Sequence, residues 1–391
     1  MKPLPIEENH SHISRRHLLA AGCAALAGGS LRADDNTQSG DQAAANGAAQ
    51  ADRVPLILHQ TDLFRPHGDP DDHFDLATVF ALALRGQAKI AGIVIDSPPP
   101  RRVGDPDVAA IAQMNRLCGL CVPAAVGSGP LMSSITDSMP QLDRTDCGAI
   151  ELILSALRGA PGRLHITCVG SASDIAVAAL RDPELFAGRC AAIHLDAGSA
   201  HDNPDRPEQL EFNVSLNPIA YASLFSSPAP ICWYPCWDTT ESWQCGPNGA
   251  FYKMSHRVAL DGISKRLRNF FTFMLDRTES AKWLAALDAD MDDRHWEEIL
   301  THNRGMWSTA SILRAAGQTV TRDGDIVPED AIDPNDTLYR MESIEVTCTS
   351  DGFTTWKHSE KKTNRQIFHI LDLERYPLAM GHAVNTLLKE F

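Results

Sequence analysis

No basic run breaks this 391-residue chain, in which 35 Lys and Arg stand against 50 Asp and Glu for a formal charge of -15. Binding to phosphate backbones needs clustered cations, so no nucleic-acid partner is expected. Beyond the N-terminal region no apolar stretch approaches the roughly 20 residues that a membrane span requires. No second C-x-x-C accompanies Cys118 and Cys121, which leaves a zinc knuckle unsupported, and no redox context surrounds the pair. The ten cysteines are irregularly spaced, and buried free thiols are expected in preference to disulfides or metal ligands. No internal repeat is visible, and one large α/β domain is the simplest organisation for this length. The acidic balance suits a small neutral or cationic ligand, or a metal, and self-association into a homo-oligomer is left open.

The N-terminus reads as an address. Ser14-Arg15-Arg16-His17-Leu18-Leu19 leads into a short apolar segment, Leu18 to Gly29, followed by Leu31-Arg32-Ala33 and then Asp34-Asp35. This pattern predicts a twin-arginine export signal over residues 1–33, with cleavage after Ala33 and a periplasmic destination. Cys23 lies too early in the apolar segment and lacks a leucine three residues before it, so lipid anchoring there is not expected. Residues 34–52 are almost all Ala, Asn, Gln, Gly and Asp without periodicity and read as a disordered linker, because they cannot bury enough surface to offset the entropy of ordering. The folded domain is expected over 53–391.

Within it, short apolar runs alternate with helical patterns. Strands are expected at Val54–His59, Ile90–Ile95, Leu164–Val169 and Cys190–Leu195, and helices over Asp75–Arg85, Val108–Leu117 and Ser173–Leu180. Two more strands, Ser343–Cys348 and Arg365–Leu371, precede a closing helix at Pro377–Leu388. Continuous apolar strands alternating with helices predict a mostly parallel sheet flanked by helices on both faces. Ligands of such sheets bind beyond the carboxyl ends of the strands. The polar residues placed there are Asp62 to Asp72, Asp96, the loop Gly170 to Asp174, Asp196 to Ser199, and Asp238.

The strongest local signal is Thr61-Asp62 followed by Gly68-Asp69-Pro70-Asp71-Asp72, between a strand and a helix. Carboxylates packed this densely repel one another unless a cation sits among them. Hard oxygen ligands suit Ca²⁺ or Mg²⁺, with Ca²⁺ favoured by the loose, multidentate geometry of a loop. The same residues would equally serve as a solvated acidic turn whose aspartates stabilise a helix N-terminus.

This segment resembles the N-terminal signature of the inosine-uridine-preferring nucleoside hydrolases, where a strand runs into Asp-x-Asp-x-x-x-Asp-Asp and a helix. Gln60-Thr61-Asp62 fills the first places and Asp71-Asp72 the last, with about five extra residues between. Further stretches agree in order: Cys168 to Ala176, which is similar to the family's Gly-Pro-Leu-Thr-Asn loop; Arg181-Asp182-Pro183-Glu184-Leu185; and Glu211-Phe212-Asn213 leading to Asn217-Pro218. The resemblance runs from about Val54 to Phe391.

It implies a nucleoside-hydrolase-like α/β fold and Ca²⁺-dependent cleavage of the N-glycosidic bond of a ribonucleoside or related ribosyl compound. By position, Asp62 would be the calcium-adjacent general base, Asp72 a bidentate ligand and Val169 a ligand through its carbonyl, while Asp71, Glu211 and Asn213 would hold ribose hydroxyls. Carboxylates near the sugar suit an oxocarbenium-like transition state.

The chain also departs from the pattern. The family's His-Asp at the start of a late helix is replaced within Gly305-Met306-Trp307-Ser308-Thr309-Ala310 by Trp307 and Ser308. One metal-shell carboxylate and the obvious leaving-group acid are thereby missing. Asp69 could restore the charge as a metal ligand, and His67 or His73 could supply an acid. Asp96-Ser97 and Asp196-Ala197-Gly198 replace a family asparagine and a Met-Gly-Gly turn. Trp233, Tyr234, Trp237 and Trp243 cluster around an expected strand ending at Asp238; they read as core, with stacking on a base as the alternative. Two other functions fit the same residues: a non-catalytic sugar or nucleoside binding protein, and another metal-dependent carbohydrate hydrolase.

Overall fold

A computed structural model describes residues 54–66, 70–97, 104–201, 210–238 and 245–391. All of them belong to the second of two units of the chain, Gln50–Phe391. The export signal and linker expected over 1–52 lie outside the described residues, as do Cys23, His67, Asp69 and Trp243.

Nine strands form the central sheet: β1 (Leu56–Thr61), β2 (Lys89–Ile95), β3 (Ala124–Val126), β4 (Leu164–Cys168), β5 (Cys190–Asp196), β6 (Ile231–Tyr234), β7 (Tyr339–Cys348), β8 (Thr354–His358) and β9 (Arg365–Ile370). Their order across the sheet is β8-β7-β9-β6-β5-β4-β1-β2-β3. Every pairing from β9 to β3 is parallel, and β7 pairs antiparallel with both β9 and β8. The expected mostly parallel α/β architecture is the one observed.

Strand periodicity explains why the central strands read as continuous apolar runs. Ile57 of β1 joins one apolar layer and Leu58 the other; Ile93 and Ile95 of β2 join the first, Val94 the second. Both faces of the sheet are therefore covered, as parallel strands require. The main helices are α1 (Asp71–Leu84), α2 (Val108–Cys118), α3 (Gly148–Gly159), α4 (Ser173–Arg181), α5 (Phe212–Leu216), α6 (Pro218–Phe225), α7 (Thr309–Ala315) and α8 (Tyr376–Leu388). Helix α1 is buried from Asp72 through Leu82, so it is a core helix rather than a surface one. It starts at Asp71, four residues before the expected helix start, and its first turn therefore carries Asp71 and Asp72 beside the partial positive charge of the helix N-terminus.

The segment inserted between Asp62 and Asp71 is tied down at its described part. Phe64–Arg65 pairs antiparallel with Asp105–Pro106, and the Asp107 amide donates to the Leu63 carbonyl at 3.0 Å. Among the described residues no helix is long and apolar enough to cross a membrane. Their cysteines are all free, and Cys147, Cys168, Cys190, Cys232 and Cys236 are buried. The strand expected to end at Asp238 stops at Tyr234. Trp233 and Tyr234 are fully buried core, whereas Trp237 is half-buried.

Candidate functional site

The carboxyl ends of β1, β2, β4 and β5 converge on a set of buried acids. β1 delivers Asp62, β2 Asp96 and β5 Asp196, while the first turns of α1 add Asp72 and Asp75; all five are at least nine-tenths buried. Asp62 and Asp72 lie within hydrogen-bonding reach of each other, although they are ten positions apart and belong to different elements. The Thr61 hydroxyl donates to Asp72 Oδ1 at 2.7 Å. Burial, followed by the charges of Asp62 and Asp71, raises the Asp72 carboxyl well above the usual carboxylate range. The sequence-predicted pair is thus brought together, and half-buried Asp71 stands beside it.

Gly170, the second residue after β4, sits against this pair. A Cβ there would fall 2.8 Å from Asp62 Cβ and 2.8 Å from Asp96 Oδ2, so only glycine lets the β4 loop approach β1 this closely. The adjoining Ser171 amide donates to Asp96 Oδ2 at 2.7 Å. Val169 is held by its amide to the Gln60 carbonyl at 3.0 Å, and its own carbonyl receives the Asn213 side-chain amide at 3.4 Å.

Glu211 precedes α5 and caps it. Its carboxylate accepts from the amides of Asn213 at 2.9 Å, Val214 at 3.2 Å and Gly198 at 2.7 Å. Burial pushes its carboxyl up to about 7 despite these amides, with Asp62 adding to the rise. Asn213 is half-buried and donates also to the Asp196 carbonyl at 2.9 Å. Glu211 and Asn213 therefore reach the same place as Asp62 and Val169, but much of their hydrogen-bonding capacity joins the loops after β4 and β5. Exposed Phe212 stands between them.

Position 308 carries no acid, and the structure shows what faces it instead. Ser308 hydrogen-bonds Asp75, a carboxylate on α1 whose burial raises it to about 7, with a smaller push from Asp62. Three residues on, in the first turn of α7, the Ser311 hydroxyl donates to Asp196 Oδ2 at 2.6 Å. Burial raises Asp196 well above its ordinary value, and the charges of Asp75 and Glu211 raise it further. Two serines on one helical turn thus serve acids from two different elements. Sequence reasoning did not single out Asp75, because a helix expected to begin there makes an acid at its first residue ordinary; the available signal was its i, i+3 spacing from Asp72, which puts both on one face. The half-buried Trp307 indole donates to the Cys236 carbonyl at 3.2 Å and tilts against Phe251, centroids 5.2 Å apart.

His73, a sequence candidate for an acid, points elsewhere. It is 1% exposed, pairs at 3.1 Å with Asp107, which caps α2, and faces the ring of Phe270 on the helix Lys265–Leu275 at 6.2 Å, so it packs α1 against its neighbours. Asp238 accepts the Asn248 amide at 2.8 Å and serves a loop.

A hard divalent cation matches these donors in kind. The partners of Asp75, Asp196 and Glu211 are hydroxyls and backbone amides, all neutral, and the partners of Asp72 are Thr61 and a second acid. The oxygens available are two touching carboxylates, the Val169 carbonyl and the nearby hydroxyls. Among the described residues no three His, Cys, Asp or Glu side chains are gathered as a metal cage. Ca²⁺ takes about six to eight oxygens, so this set would hold it with two carboxylates and leave the other positions to water or ligand oxygens.

No protein-family model and no curated protein matches the chain. Solved structures similar to it include an inosine-uridine-preferring nucleoside hydrolase from Bacillus anthracis, at 11% identity over 86% of this chain and 100% of that one, with a TM-score of 0.46. A purine-preferring ribonucleoside hydrolase from Gardnerella vaginalis is similar at 16% identity over 85% and 99%, TM-score 0.49. The type III effector protein XopQ, complexed with adenosine diphosphate ribose, is similar at 13% identity over 90% and 99%, TM-score 0.49.

Proposed function

We propose that the chain is a Ca²⁺-dependent hydrolase that cleaves the N-glycosidic bond of a ribonucleoside or related ribosyl compound. The observation that carries this reading is the meeting of Asp62 and Asp72 at the mouth of the parallel sheet, where buried acids with neutral partners favour a cation and a sugar that develops positive charge. Asp62 is the general base. Its placement after β1, against Gly170, holds the carboxylate at a fixed point from which it can take a proton from water beside the anomeric carbon. Asp62, Asp72 and the Val169 carbonyl are the protein's cation ligands, with Thr61 orienting Asp72. Asp69 would add a further carboxylate. Asp71, Glu211 and Asn213 bind ribose hydroxyls, and the amides around Glu211 fix its direction. When bound, Ca²⁺ supplies an anchor for vicinal hydroxyls and polarises a water. Export by the twin-arginine route would place this activity in the periplasm.

A non-catalytic nucleoside or sugar binding protein is the second reading, favoured by Ser308 lacking a carboxylate and by the structural bonds of Asn213. A nucleoside panel assayed with and without chelator separates the two. Turnover that disappears in chelator and falls about 10²–10⁴-fold in Asp62→Ala supports the hydrolase. Saturable binding without turnover supports the binding protein.

A further inference from the structure

The acid that no sequence pattern singled out is the one the site most needs to account for. Asp75 is 1% exposed and lies one helical turn after Asp72 on the same face of α1. One of its oxygens is served by Ser308, yet Oδ1 has no hydrogen-bond partner although it is buried. Buried polar atoms are nearly always paired, and an orphaned carboxylate oxygen is among the costliest to leave. The neighbours make it costlier. Asp62 repels Asp75, and Asp75 in turn repels Asp196. Packing alone would be served better by an apolar side chain or an amide.

Resting on the Ca²⁺ reading of the Asp62–Asp72 pair, we propose that Asp75 is the outer carboxylate of the cation site, held in place by Ser308 and contributing its charge, not a coordinate bond. Asp62, Asp72 and Asp75 do not form a three-acid cage, so direct ligation is not its role. Its effect is electrostatic and acts at short range through a buried, poorly screened medium. α1 therefore provides both an inner and an outer carboxylate from successive turns, and Ser308, capping α7, provides the hydroxyl that anchors the outer one.

The test is calorimetric titration of the full chain with CaCl₂ alone, which needs no substrate and no turnover. Asp75→Asn keeps the shape and the Ser308 contact while removing the charge. It should fold at least as stably as the native chain without metal, and weaken Ca²⁺ binding by about tenfold or more, the range for lost outer-shell partners. Ser308→Ala keeps the charge but frees it, and should weaken binding measurably but less than Asp75→Asn. A native-like Kd, within twofold, in either variant overturns the inference while leaving the Ca²⁺ reading intact. Failure of the native chain to bind Ca²⁺ at millimolar concentration overturns both.

Discussion

Residue spacing made the Asp62–Asp72 pair legible, because acids flanking a strand–helix junction are forced toward the strand's carboxyl end. What spacing could not show is how closely the β4 loop presses on that pair. Gly170 has no conformational signal in the sequence, yet a Cβ there meets Asp62 and Asp96 at 2.8 Å. Gly170→Ala is expected to destabilise the protein by roughly 1–3 kcal/mol, the usual cost of overpacking a full site; urea unfolding with an unchanged midpoint would contradict this. The buried acids also set a pH dependence. Glu211 and Asp75 sit near 7 in the folded protein, against 4.5 and 3.8 when unperturbed. The folded form thus holds their protons more tightly than the unfolded chain does. Their stabilising contribution is complete below about pH 4 and is lost as pH rises through 7. The metal-free native chain should accordingly lose a few kcal/mol, roughly, relative to an Asp75→Asn/Glu211→Gln variant between pH 5 and pH 8. Parallel thermal-melt curves for the two proteins across that range would show that these acids are not responsible.

At the level of elements, apolar runs revealed β1, β2, β4 and β5 within two residues of their bounds, since strands covered on both faces carry little polar interruption. β3 and β8 escaped for the opposite reason: Ala124–Val126 is short and largely exposed, and Thr354–His358, at the sheet edge, carries only Trp356 as a large apolar side chain. The helix α3 does carry a period-3.6 pattern, with Ile150, Ile153, Leu154 and Leu157 on its buried face, but it lies between two loops and not directly after a strand. The Asn217 side chain shows how the loops around the site depend on caps. It accepts the Ala220 amide at the start of α6 and donates to Ser173 Oγ at 2.9 Å, joining α6 to the N-terminus of α4. Asn217→Ala should cost about 1–2 kcal/mol through loss of the cap, measurable by denaturant titration; a change within a few tenths of a kcal/mol would mean that water replaces both contacts.

For the whole molecule, the alternation of apolar runs with helical patterns was sufficient to indicate a mostly parallel α/β sheet, because strands covered on both faces carry that pattern whatever their individual contacts. The free cysteines predict that dithiothreitol leaves the thermal midpoint unchanged; a fall of several degrees would reveal a bridge to a cysteine outside the described residues. Strand order was not legible, since no local pattern tells a late strand to insert between two earlier ones. β9 does so, lying between β6 and β7. During synthesis on the ribosome the sheet consequently keeps a gap until Arg365–Ile370 has emerged. A chain stalled earlier would present open edges on both sides of the gap, and it is this nascent form, not the finished protein, that would depend on chaperones to avoid clumping.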